Sequence, residues 1–216
     1  KLNAAHANGA GPLLLETVTK NYKIQVDRYV SVDFNSMIDI IDKVGGVELT
    51  LSAEEVRGAN NYITEMCGLR NLEPTNYFFI QEGTKTCSGI QAVAYARLRK
   101  MDTDYARTER QRKVIELSFD KLKKADFAVV NNVMEVVFPQ ILTSITLNDM
   151  IPMAKNLTKY HIAATAGFPE ARSDGILGKK GACVIPQTLE SNVIKLHQFL
   201  FDDENYVASE MVKKIS

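Results

Sequence analysis

An apolar run made of Ile90, Ala92, Val93 and Ala94 passes without a polar transition into Arg97 and Arg99. A backbone carrying such a run enters a core, and a guanidinium delivered there needs an anionic partner, because a buried unpaired charge is strongly destabilising. If the piece around Leu98 is extended, Arg97 and Arg99 point to the same side. The chain then turns through an acidic stretch to Asp104, which stands where a helix N-cap should be. Arg107 and Gln111 follow, four residues apart and so on one face of that helix, with Arg110 near the same face. Helix N-termini and arginine forks both suit phosphate oxygens. The segment 97–111 is therefore a candidate pyrophosphate site. The competing reading is a solvated helix face on which Glu109 or Glu116 pairs with neighbouring cations.

Helical and strand periodicities alternate around this segment. Leu14, Leu15, Val18 and Tyr22 predict a helix over 11–21, and Asp27–Phe34 alternates like a strand. Met37, Ile38, Ile40 and Ile41 form an apolar stripe over 35–44, ended by Gly45-Gly46. Residues 47–51 read as a strand. The stretch 58–76 has little period and reads as a long excursion. Strands are expected at 77–80, 160–166 and 182–185. Helices are expected at 88–96, 105–124, 128–142, 148–157 and 188–201. This alternation predicts an α/β protein, a three-layer α-β-α sandwich with a central mixed sheet flanked by helices. We expect one domain over 1–205 and a C-terminal tail at 206–216 that frays.

Charge excludes one class of partner. Lys+Arg and Asp+Glu balance at 26 each, so the chain has no surplus positive charge for non-specific nucleic-acid binding. No uninterrupted apolar stretch reaches the ~18 residues of a membrane span. The three cysteines and three histidines lack zinc-site spacing, and no metal ligands are assigned. Cys67 and Cys87 bracket a polar, turn-rich stretch. A disulfide between them would staple it and fit an oxidising compartment; three free thiols are the alternative. Val129, Val130, Val133, Val136, Val137 and Ile141 would either line a lipid tunnel or, the favoured reading, pack as ordinary core. The glycines between Gly175 and Gly181 lack phosphate-loop spacing and are read as a turn between strands.

Several ordered segments together resemble the LytR–CpsA–Psr family. Its signature is a helix with Gln-Ala-x-Ala-Tyr, then Arg-x-Arg, an acidic loop, and Arg-x-x-Arg-Gln. Here these are Gln91–Tyr95, Arg97 and Arg99, Asp104, and Arg107, Arg110 and Gln111. Lys1-Leu2-Asn3-Ala4-Ala5, Val32-Asp33-Phe34, the Gly45-Gly46-Val47 turn, and Gly83-Thr84 with Ser88-Gly89 match further elements in order. The resemblance covers residues 1 to about 122 and continues more loosely to Phe201.

The resemblance implies an extracytoplasmic enzyme, anchored in the cell membrane, that passes an anionic glycopolymer from a polyprenyl-pyrophosphate carrier onto peptidoglycan of the cell wall. It implies Arg97, Arg99 and Arg107 as catalytic arginines that neutralise the pyrophosphate leaving group. Head-group binding would involve those three with Gln111, Arg110, Asp104 as orienter or cap, Lys1 and Asn3. It also implies Mg²⁺ at the pyrophosphate. The family's domain starts earlier, with strands carrying an Arg-Asp element and the metal-holding aspartates. The chain is therefore expected to lack its first strands, most catalytic carboxylates and its N-terminal membrane anchor. The alternatives are a non-catalytic polyprenyl-phosphate or glycan binding module, and a plain interaction domain whose arginines form salt bridges.

Overall fold

The computed structural model describes residues 2–99 and 104–216. In chain order the elements are α1 (Leu2–Tyr22), β1 (Val30–Ser31), α2 (Phe34–Lys43), β2 (Val47–Leu51), α3 (Ala53–Arg70), β3 (Gly83–Cys87), α4 (Gly89–Arg97), α5 (Asp104–Lys124), α6 (Phe127–Val136), β4 (Leu142–Thr143), α7 (Leu147–Lys155), β5 (Arg172–Ile176), β6 (Ala182–Pro186), α8 (Leu189–Phe201) and α9 (Glu210–Ile215). Contacts divide the chain into two units. The first holds Lys1–Val30, Thr143–Ile145 and Ala166–Ser216; the second holds Ser31–Leu142 and Thr146–Thr165.

The second unit contains the arginine segment and the larger core. β2 alternates strictly, with Val47, Leu49 and Leu51 buried and Glu48 and Thr50 exposed, as expected of a strand with one face on a core. It pairs antiparallel with β3, from Val47 opposite Cys87 to Leu51 opposite Gly83. The tight turn before β2 needs φ near +80° at Gly45 and Gly46. A Cβ on Gly46 would lie 2.6 Å from the Cys87 carbonyl oxygen, so that position requires glycine. Helices pack Ile38 and Ile41 of α2 and nearly the whole of α4 against the strand pair.

The stretch 58–76, expected to be an excursion, is mostly helix. Val56, Ala59, Ile63, Met66 and Cys67 recur at helical spacing and are buried. Ser52 and Glu55 close a capping box at the start of α3, and Asn71 ends it in the left-handed conformation. The strand expected at 77–80 is an irregular segment instead. Asn60 fastens it through two bonds, accepting from the Phe79 N–H at 2.9 Å and donating to the Phe79 carbonyl at 3.0 Å. Strand pairing moves on to β3. The helix expected over 128–142 stops at Val136, because Pro139 lies just beyond in a 3-10 turn and proline cannot continue the ladder. Residues 160–166 form no strand.

The first unit has a smaller core, in which Val193, Ala208 and Val212 are buried. His197 is buried too, donating from Nε2 to the Tyr22 carbonyl at 2.8 Å and stacking on Tyr206. Residues 206–216 include the short helix α9. Ser209 caps α9, and Val212 faces inward. β5 and β6 form an antiparallel hairpin; β6 was expected, β5 was not, and it takes up Gly175 and Ile176 from the expected turn. The α/β class stands, and the strand pairing within each unit is a two-stranded antiparallel pair where one central mixed sheet was expected. No described helix is long and apolar enough to cross a membrane.

Candidate functional site

The site is built on α4. Its N-terminus is fixed three ways. Ser88 and Gln91 form a capping box, the Asp42 carboxylate accepts from the Gly89 N–H at 2.6 Å, and Gly89 lies so close to α2 that a Cβ there would stand 2.2 Å from the Ile38 carbonyl oxygen. The Gln91 amide also donates to the Tyr77 carbonyl at 2.8 Å. A helix held this firmly at its start delivers its last residues to a defined place.

Those last residues are the arginines. Arg97 is the final residue of α4 rather than part of a strand. Leu98 is its C-cap, with φ −52° and ψ 123°, and its N–H donates to the Tyr95 carbonyl. The Leu98 side chain is buried. Arg97 and Arg99 are thus separated by a helix end and do not share one strand face. Arg99 is exposed. Arg97 lies between the rings of Phe34 and Tyr62, 5.0 Å from each centroid, and pairs with Glu65 at 2.9 Å. Its required anionic partner is therefore supplied partly from within the fold. Glu65 is 53% exposed, so an incoming anion can compete with it across water.

α5 packs along α4 and opens at Asp104. Arg107 and Gln111 are half-buried on it, and Arg110 is 7% exposed. The Arg110 guanidinium donates to the Leu98 carbonyl at 3.0 Å, lies 3.6 Å from the Glu55 carboxylate and sits over the Tyr95 ring. Glu109 pairs with Arg112, so this pairing on the helix does not engage the predicted site arginines. The Asp104 side chain and Lys1 lie outside the described residues. Asn3 is exposed on α1, in the first unit.

The partners Glu65, Glu55, Phe34 and Tyr62 were not anticipated. Only Glu55 left a readable signal, as the fourth residue of a Ser-x-x-Glu capping box. The expected Cys67–Cys87 bridge is not formed, and both residues are free, buried thiols. Cys67 faces the core from the last turn of α3, while Cys87 sits in the β2–β3 ladder. Burial raises the pKa of both, to about 11 for Cys87. Of the valines on and after α6, Val133 and Val137 are buried as core and Val136 is exposed. Among the described residues no three His, Cys, Asp or Glu side chains converge to hold an ion. Asp102 and the Asp104 side chain lie outside the described residues.

The arginine turn, with its phosphate-suited cations at one helix end, lies inside the segment that a family profile recognises. The profile described as the LytR_cpsA_psr family matches residues 1–168. The chain belongs to the LytR–CpsA–Psr family. Two relatives are named polyisoprenyl-teichoic acid–peptidoglycan teichoic acid transferases. TagV of Bacillus subtilis (strain 168) is 26% identical over 152 residues, 69% of this chain and 36% of that protein. TagU of Enterococcus faecalis (strain ATCC 700802 / V583) is 31% identical over 159 residues, 71% of this chain and 46% of that protein. The chain thus spans less than half the length of these two relatives. A solved structure described as TagT bound to LIIa-WTA superposes with a TM-score of 0.69 at 24% identity, covering 94% of this chain and 71% of that one. That likeness establishes the LytR–CpsA–Psr fold for this chain.

Proposed function

We propose that this chain supplies the head-group pocket of an extracytoplasmic, membrane-anchored enzyme that transfers an anionic glycopolymer from a polyprenyl-pyrophosphate carrier to peptidoglycan. The observation that carries the reading is the arginine turn at the end of α4, with Arg99 exposed beyond the buried Leu98, inside the matched family segment. The names of the relatives TagV and TagU give the acceptor and the polymer class.

The chemistry follows from charge. An acceptor hydroxyl attacks the glycan-side phosphorus and loses its proton to solvent, one P–O bond forms as the bridging P–O bond breaks, and the carrier leaves as a polyprenyl phosphate. Negative charge grows on the leaving phosphate, and fixed cations lower that barrier without reorganising. Arg99 and Arg107 are the proposed head-group ligands, with Gln111 donating alongside. Arg97 serves as a third cation once the phosphate displaces Glu65.

The test is binding of geranylgeranyl pyrophosphate to the chain by isothermal titration, with and without Mg²⁺. Wild type is expected to bind saturably, and Arg99→Ala to bind at least about tenfold more weakly while staying folded, since charge-assisted bonds are worth that much. A folded wild type that binds no pyrophosphate would refute the reading.

A further inference from the structure

Arg110 differs from the other arginines of the segment. It lies deep in the second unit, and three groups from two elements, α3 and the last turn of α4 with its cap, converge on its guanidinium. Nη2 donates to the Leu98 carbonyl at 3.0 Å, Nη1 lies 3.6 Å from Glu55 Oε1, and the group stands 5.9 Å over the Tyr95 ring. Leu98 is the C-cap of α4, and the last carbonyls of a helix lack partners within it. At 7% exposure for Arg110, water does not easily replace this donor. Glu55 is itself held by the capping box at the start of α3. One side chain therefore ties the peptide between Arg97 and Arg99 to the helix that carries Arg107 and Gln111.

We infer that Arg110 is a positioning residue and not a phosphate ligand. By holding the Leu98 carbonyl against α5, with Glu55 aiming the fork, it sets the separation between Arg99 and the Arg107–Gln111 face. That separation is what lets Arg99, just past the end of α4, and Arg107, on α5, meet the two phosphates of one pyrophosphate. The inference rests on the pyrophosphate reading above and assigns a role within it.

Geometry and charge make opposite predictions for Glu55→Gln. If Arg110 were a ligand restrained by Glu55, removing the acid would free a cation and remove a negative charge beside an anion site, so binding would tighten. If Arg110 positions the turn, the same change loosens its aim and binding weakens. Titrating geranylgeranyl pyrophosphate into the chain and its Arg110→Lys and Glu55→Gln variants, each checked for folding by circular dichroism, separates these. Displacements near 1 Å at such sites cost up to about a hundredfold. We expect a loss of about tenfold or more in Arg110→Lys, despite its retained charge, and a smaller loss in Glu55→Gln.

Hydrogen exchange of the ligand-free variants, read at the amides of residues 97–99, should accelerate in both. A structural role elsewhere would not confine the change there. Tighter binding by Glu55→Gln, or unchanged affinity in both folded variants, overturns the positioning role while leaving the function standing. Failure of wild type to bind overturns the function and this inference with it.

Discussion

The two ends of α4 lie on one nine-residue helix and behave in opposite ways. At the start, the Ser88, Gly89 and Gln91 N–H groups each have an internal partner. Ser88, Gln91 and Asp42 satisfy the first N–H groups, and glycine lets α2 approach to contact distance. At the end, the chain places three guanidinium groups within three residues of a buried C-cap or directly on it. Among their partners are the rings of Phe34 and Tyr62 and the half-exposed Glu65 for Arg97, and the Leu98 carbonyl, Glu55 and the Tyr95 ring for Arg110. The first end is closed by short-range bonds that a neutral side chain can make. The second is held by charges, and at Arg97 the partner is a carboxylate exposed enough for an anion to compete with it. Precision at the open end depends on rigidity at the closed one, since a cation pair is selective for pyrophosphate only if its spacing does not drift.

The strongest way to break this contrast is Gly89→Ala. The added Cβ would meet backbone atoms of Ile38, which cannot swing aside. Overpacking of this kind costs about 1–3 kcal/mol or more, and we expect about 3 kcal/mol here by urea unfolding. If helix α2 simply shifts to make room, unfolding will change by well under about 1 kcal/mol, and the closed end is softer than the geometry says.

Much of the closed end was legible in sequence. Ser88 followed by the apolar run marks a helix start, Gly45-Gly46 marks the turn, and the alternation of Val47–Leu51 marks the strand. α3 was not recognised because Gly58, Asn60 and Asn61 crowd a stripe that runs Val56, Ala59, Ile63, Met66. The stripe is helical, but polar residues outnumber it. α9 was missed because it buries only Val212 in the first unit's core, too few apolar positions to show a period. At the open end the arginines were legible and their partners were not. Glu65 and Arg97 lie 32 residues apart, and nothing in local spacing links them. The expected shared face of Arg97 and Arg99 failed for a related reason, since α4 continues one residue further than the polar transition suggested.

A sharper comparison sets Ser88→Ala beside Arg99→Ala. The first removes a cap and one side of a capping box, expected to cost about 1 kcal/mol with little change in pyrophosphate affinity. The second removes an exposed cation, expected to change stability by less than about 0.5 kcal/mol while weakening pyrophosphate binding. Paired unfolding and titration experiments on both variants check this. If Ser88→Ala weakened binding as much as Arg99→Ala, the two ends would be coupled more tightly than the bonds between them indicate.

The smallest expected effect uses Cys87, which immediately precedes the Ser88 cap and reports on the closed end. Burial raises its thiol pKa to about 11, with Lys85 pulling weakly the other way. A group whose pKa is raised by folding contributes stability that is complete below its unfolded value and is lost as pH rises through its folded value. The unfolded value lies near ~8.5, so the loss is expected between about pH 9 and about pH 11, and stability below pH 8 should not depend on this thiol. Cys67 shifts in the same direction, whereas Cys183 lies outside the core, on β6. Reaction with an aromatic disulfide reagent at pH 8 should therefore give one fast thiol, with the other two reacting only as urea unfolds the chain. Three fast thiols in folded protein would mean that the strand before Ser88 opens on the reagent's timescale. The start of α4 would then lose its claim to be the rigid base from which the arginines are aimed.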